Sequence, residues 1–181
     1  MKYIFPINTK LCIMTTVINV LKFVVVSDNH GRIEPIQEVL NAHQHADGYF
    51  HCGDFEIPLG YLQQFSVVCG NNDYANVPNS IVINTPRHRI LLIHGHRYAS
   101  MFSIDRLVEK AKSERCNMVF YGHTHVFSDR IVDGIRFINP GSLSHNRDGS
   151  CPSYATVEID EHEVRVFRHD IESDLPLFNF Y

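Results

Sequence analysis

An α/β fold in one domain is what this chain predicts, and three observations predict it. Short β-branched runs alternate with stretches of helical periodicity over the first two thirds of the sequence. Strand-like runs separated by turn signals then follow one another, so an antiparallel β portion closes the chain. No linker, repeat or low-complexity segment intervenes, and 181 residues suffice for one well-buried core while making two ordinary domains too small.

Leu21 to Val26 is a compact β-branched run ending in Ser27-Asp28, the pattern of a buried strand. Ile33, Ile36, Val39 and Leu40 recur at helical spacing, with Pro35 tolerable only in a first turn. Tyr49-Phe50 and Phe65 to Val68 read as the next strands. Ile81 to Ile83 and Arg89 to Ile93 form a strand pair turned around Pro86-Arg87. Ile104, Leu107, Val108 and Ala111 fit one face of an amphipathic helix. Asn117 to Tyr121 is a further strand. Asp129 to Ile138, Ser153 to Ile159 and Glu163 to Phe167 complete the β portion, with Asp133-Gly134 and Asp160-Glu161 as turns.

Residues 1–22 are expected to form an extension ahead of a single domain at residues 23–181. Lys2 and Lys10 before Leu11-Cys12-Ile13-Met14 superficially resemble a signal peptide. Thr15, Thr16 and Asn19 break the apolar stretch, no small-x-small cleavage site follows, and it is too short to span a bilayer. Met14 is the expected start. The five cysteines are an odd number with no Cys-x-x-Cys pair, which favours reduced thiols and a cytoplasmic location. A net charge of -4 gives no basic stripe, so no stable nucleic-acid complex is expected, and no membrane partner either.

Each apolar run of the first part ends in a short polar cluster. These are Asp28-Asn29-His30-Gly31, Gly53-Asp54, Gly70-Asn71-Asn72-Asp73, His94-Gly95-His96 and Gly122-His123-Thr124-His125. In open α/β sheets ligands bind beyond the carboxyl ends of strands, so residues far apart in sequence can converge there. Asp, Asn and His are hard and borderline ligands, and together they suffice for two divalent ions sharing one carboxylate. Asp54 is the candidate for that shared position, because only a carboxylate has the oxygens and charge to serve two cations. Single clusters have plainer alternatives: Asp28 as a helix cap, Gly53-Asp54 and Gly70-Asn71 as turns. Two His-x-His pairs are harder to dismiss, since buried imidazoles must satisfy both ring nitrogens. The remaining histidines, such as His43, His45, His88 and His162, are expected on the surface.

In this order the clusters resemble the signature of the calcineurin-like metallophosphoesterase superfamily, in particular its small YfcE-like phosphodiesterases. Asn139-Pro140-Gly141-Ser142 is similar to the Asn-Pro-Gly-Ser loop of that family. The resemblance implies a two-sheet β-sandwich flanked by helices, αββα in layers. It implies one ion on Asp28, His30, Asp54 and His125 and another on Asp54, Asn71, His94 and His123. Mn²⁺ is the expected pair, with Fe, Ni or Zn as alternatives. A hydroxide bridging the ions would attack a small phosphodiester. Asn72, Asn139 and Ser142 are expected to meet substrate; His96 and Asp73 are the candidate catalytic residues, Asp73 through orienting its neighbours. Many relatives carry a His where this chain has Asn72, which has no proton to give to a leaving group. The rival implication is a non-catalytic interaction scaffold similar to the retromer subunit VPS29, whose metal site is degraded; here all seven ligand positions are competent. A homo-oligomer is compatible with either.

Overall fold

Alternate residues of the first β-branched run enter two different cores. In β1 (Leu21–Val26), Phe23 and Val25 pack with Phe50, Leu92 and Phe120, whereas Val24 and Val26 pack with Ile36 and Val39. Both faces are covered, so from Phe23 to Val26 the run is continuously apolar rather than alternating. In the computed structural model, which describes residues 20–171, β1 is followed by α1 (Glu34–Ala42), β2 (Gly48–His51), β3 (Phe65–Val67), β4 (Ser80–Asn84) and β5 (Arg89–Ile93). Then come α2 (Asp105–Ser113), β6 (Met118–Tyr121), β7 (Phe127–Val132), β8 (Ile135–Pro140), β9 (Ser153–Ile159) and β10 (Val164–Asp170).

The strands form two five-stranded sheets, ordered β10-β9-β1-β2-β3 and β4-β5-β6-β8-β7. Within the first, β1, β2 and β3 are parallel and β9 and β10 run antiparallel. Within the second, β5, β6 and β8 are parallel, flanked by antiparallel β4 and β7. The inner faces make one core; α1 covers the outer face of the first sheet, and Leu107, Val108 and Ala111 of α2 cover Leu91 and Val119 of the second. This is the αββα arrangement expected from the resemblance.

Turn chemistry fixes the hairpins. Thr85 N donates to the His88 carbonyl at 2.8 Å and closes β4 onto β5 around Pro86-Arg87. Asp133 and Gly134 both take positive φ, 50° and 75°, as a two-residue hairpin loop requires.

Four expectations need correction. The domain begins at Leu21 rather than residue 23, because Leu21 and Lys22 pair with Ile159 and Glu158 in the first sheet; residues 1–19 of the expected extension lie outside the described residues. The hairpin begins at Phe127, and β10 runs on to Asp170, since ladder pairing carries polar residues that patterning alone discounts. A 3₁₀ turn at Leu59–Leu62, which buries Leu62, was masked by its loop-like composition. His43 and His88 are half-buried rather than on the surface; His43 Nε2 lies 2.9 Å from the Tyr154 hydroxyl. His45 and His162 are exposed.

Phe120 is fully buried between the sheets, its ring 5.6 Å from that of Phe50. Phe120→Ala should cost about 3–5 kcal/mol, read from urea denaturation, because both sheets would border the cavity. A loss under about 1 kcal/mol would show that the inter-sheet core is not what holds the layers together.

Candidate metal centre

Six strands, three per sheet, deliver their carboxyl ends to one rim. Cross-links close it: Asp28 N donates to the Gly53 carbonyl at 3.0 Å, His123 N to Asp28 Oδ2 at 3.0 Å, and Ser142 Oγ to the Asp28 carbonyl at 2.8 Å. The backbone bends sharply at this rim. Among the described residues eight non-glycines have positive φ, and five are predicted ligands: Asp28, His30, Asp54, His123 and His125. Such conformations cost about 1–3 kcal/mol each and persist only where surrounding structure compels them. Two glycines make room. A Cβ on Gly70 would fall 2.1 Å from Asp54 Oδ1, and one on Gly122 would fall 1.9 Å from Ser27 Oγ and 2.7 Å from Asp28 Oδ2.

The hydrogen-bond partners assign the imidazole tautomers. His125 Nδ1 donates to the His145 carbonyl (3.2 Å), and His30 Nδ1 faces Glu56 Oε1 at 2.5 Å. With Nδ1 protonated, each neutral ring presents a bare lone pair at Nε2. Those two nitrogens are 3.2 Å apart, and His125 Nε2 is 3.1 Å from Asp28 Oδ1, a buried oxygen with no hydrogen-bond partner among the described residues. With both rings in that tautomer, three lone-pair-bearing atoms converge on one point. A cation satisfies all three, and donor atoms bound at about 2.0–2.1 Å to one ion sit about 3 Å apart when adjacent.

The neighbouring group has the same character. His94 Nδ1 donates to the Cys52 carbonyl (2.8 Å), leaving Nε2 3.2 Å from Asn71 Oδ1 and 3.4 Å from Asp54 Oδ2. Ligating atoms of Asp28, His30 and His125 converge within 4.8 Å of one another, as do those of Asp28, Asp54 and His94. Asp28 is common to both groups, whereas Asp54 belongs to one. His123 lies beside the second, its ring 5.3 Å from that of His94.

Electrostatics point the same way. Burial raises the Asp28 carboxyl, but His125, His94 and Ser27 outweigh it and its pKa lies below the ordinary value. Asp54 is likewise held low, its burial outweighed by His94 and by the Asn72 backbone amide. Burial disfavours a charged His94, yet Asp54 and Asp28 raise its pKa: the pocket draws in a positive charge. Burial, with His94 beside it, lowers His123 to about 4.

The other predicted residues take distinct places. Asp73 accepts four backbone N–H bonds, from Asp54 (2.7 Å), Gly70 (2.8 Å), Phe55 (2.9 Å) and Glu56 (3.0 Å), so it is a positioning residue with no free lone pair. Asn72 is on the rim, donating through N and Nδ2 to the two Asp54 oxygens at 2.8 and 2.9 Å. His96 accepts from Arg97 Nε at 3.2 Å; burial and the His94 and Arg97 charges lower its pKa, so it is neutral at pH 7. Asn139 and Ser142, expected to meet substrate, are fully buried. Asn139 Nδ2 is spent on the Gly122 carbonyl (2.9 Å) and Thr124 Oγ1 (3.0 Å), and Ser142 Oγ on Asp28; they hold ligand loops instead.

Glu56, His51 and Asn29 belong to the centre and were missed. His51 is fully buried, accepts from Gly53 N (3.1 Å) at Nδ1 and donates to Asn29 Oδ1 (2.9 Å), tying together the loops that carry Asp28, His30 and Asp54. Its place in β2, one residue before a cysteine, gave no chemical signal. Asn29 lies inside the first cluster but aims beneath it. Glu56 could have been suspected only from its two-residue spacing after Asp54.

A family model described as the calcineurin-like phosphoesterase superfamily domain matches residues 21–162. A probable metallophosphoesterase of Bacillus subtilis, YsnB, is 29% identical over 153 residues, covering 81% of this chain and 90% of that protein. A phosphodiesterase of Methanocaldococcus jannaschii is 24% identical over 170 residues, 80% of this chain and 97% of that one. Among solved structures, a conserved Streptococcus pneumoniae protein described as a predicted phosphoesterase superposes with a TM-score of 0.78 at 31% identity, covering 87% of this chain and 95% of that one. Vacuolar Protein Sorting 29 of Cryptosporidium parvum gives 0.68 at 17% identity, over 84% and 92%, and shares the fold.

Burial lowers His51 to about 3 in the folded protein. An unfolded His titrates near 6.5, so below that pH the unfolded chain binds a proton that folded His51 refuses. Metal-free protein should therefore lose about 1.4 kcal/mol per pH unit through this residue as pH falls from 6.5 toward 4. Urea denaturation in chelator across that range should give a correspondingly shallower slope for His51→Gln. Equal slopes would mean that His51 protonates in the folded state.

Proposed function

The chain belongs to the calcineurin-like phosphoesterase superfamily, and from that premise we propose that it is a phosphodiesterase working with two divalent ions, Mn²⁺ foremost. The observation that carries the reading is the convergence of Asp28 Oδ1, His30 Nε2 and His125 Nε2 beside the Asp54–His94–Asn71 group. Asp28, His30, Asp54 and His125 would hold one ion, and Asp54, Asn71, His94 and His123 the other. Bound ions supply a nucleophile at neutral pH and neutralise charge developing on the phosphoryl oxygens. The phosphodiesterase relative supports the diester substrate class.

The protein's own groups then set which esters react. Asn72 stands on the rim with its amide turned to Asp54 and has no transferable proton. His96 is neutral near pH 7 and so a weak proton donor. Leaving groups must therefore depart as anions, which favours aryl diesters over alkyl esters.

Mn²⁺ should raise the stability of chelator-stripped protein by about 2.7 kcal/mol at 100 times its dissociation constant. Asp54→Ala should remove that gain and the activity while the protein still melts cooperatively. A melting curve indifferent to Mn²⁺ and chelator, with no turnover of bis-p-nitrophenyl phosphate, would favour the interaction scaffold instead.

Rates of wild type should fall steeply with leaving-group pKa. Asn72→His should recover the poor leaving groups selectively, since general acid catalysis contributes about 10²–10⁴-fold. A flat dependence in wild type, with chemistry rate-limiting, would show that another residue already donates the proton.

A further inference from the structure

Three histidines at the centre turn Nε2 into the convergent groups, and each has an oxygen partner for Nδ1. For His94 the oxygen is the Cys52 carbonyl, and for His125 it is the His145 carbonyl. For His30 it is a carboxylate, Glu56 Oε1 at 2.5 Å. The difference matters because His30 is the least enclosed member of its group: its side chain is 25% exposed, against 4% for His125 and 0% for Asp28. A ring at the surface, without a backbone partner, would be free to turn its Nε2 away or to shift its proton to that nitrogen.

The backbone is arranged to bring Glu56 there. The segment Asp54-Phe55-Glu56 is clasped by Asp73, which accepts from the N–H of all three residues. Glu56 itself is forced to φ 50°. On the other side His30 N donates to the Asp54 carbonyl (3.2 Å) and Gly31 N to the Phe55 carbonyl (3.0 Å), which straps the loop after β1 to the loop after β2. Placing a carboxylate on His30 is the consequence of that strapping.

We infer that Glu56 is a positioning residue for one of the two ions: it locks His30 in the tautomer and orientation that face Asp28 and His125. The inference rests on the metal-binding reading of the centre. It assigns Glu56 to a single group, because nothing connects its carboxylate to Asp54, Asn71 or His94 among the described residues. Loss of Glu56 should weaken one ion and leave the other unchanged.

The test is calorimetric titration of chelator-stripped full-length protein with Mn²⁺, for wild type, Glu56→Ala and Glu56→Gln, with melting curves in chelator alongside. Wild type should show two binding events. In Glu56→Ala one should weaken about 10–100-fold while the other stays within error. Glu56→Gln should fall between, since its amide oxygen still accepts from Nδ1 but carries no charge. Melting in chelator should be nearly the same for all three. Two unchanged affinities in Glu56→Ala would overturn the inference, as would equal weakening of both events together with a lower melting temperature in chelator, the mark of a purely structural role. Absence of any Mn²⁺ binding by wild type would instead sink the metal reading, and the inference with it.

Discussion

Asp28 is fully buried where the rims of the two sheets meet, with no Lys or Arg salt bridge to its carboxylate among the described residues. One oxygen takes the His123 amide; the other faces His125 Nε2 at 3.1 Å. Burying a charge in this way is costly unless it is paired. Its backbone N–H nevertheless ties it to the loop after β2 through Gly53, and its carbonyl ties it to the second sheet's loop through Ser142. The group that most needs a cation is also the group that joins the layers. Ion binding and closure of the rim are therefore one problem with one solution.

Strain and its compensation are concentrated in the same few residues. Five predicted ligands, together with Glu56, adopt left-handed backbone conformations. Asp73 offsets part of that cost by gathering four N–H groups that a tight loop would otherwise leave unpaired. Asn139 and Ser142 do similar work behind the His123–His125 and Asp28 loops. Beneath them His51 must stay neutral to accept from Gly53. The rim holds its shape because hydrogen-bonded Asp73, Asn139, Ser142 and His51 lie between it and an apolar core covered on both sides by helices.

The strands were legible because runs buried on both faces leave an unbroken apolar signature, as from Phe23 to Val26 and from Ile90 to Ile93. The amphipathic α2 was legible from Leu107, Val108 and Ala111 for the same local reason. His43 was misjudged because its partners, Tyr154 and His169, come from the far end of the chain. Leu59–Leu62 left no sequence signal because a single 3₁₀ turn is too short to show a period.

Ligand chemistry and its position after successive strands are properties of short segments, so the sequence alone determined that Asp28, His30, Asp54, Asn71, His94, His123 and His125 would be the groups in play. Which atoms face which is a property of distances between segments nearly a hundred residues apart. Only the tertiary structure decided that Asn139 and Ser142 turn inward, that Asp28 reaches both convergent groups, and that the Nδ1 atoms of His30, His94 and His125 already have partners. Tautomers depend on the partner of the opposite ring nitrogen. That partner is a backbone carbonyl or a carboxylate delivered by another loop, and no local pattern records it.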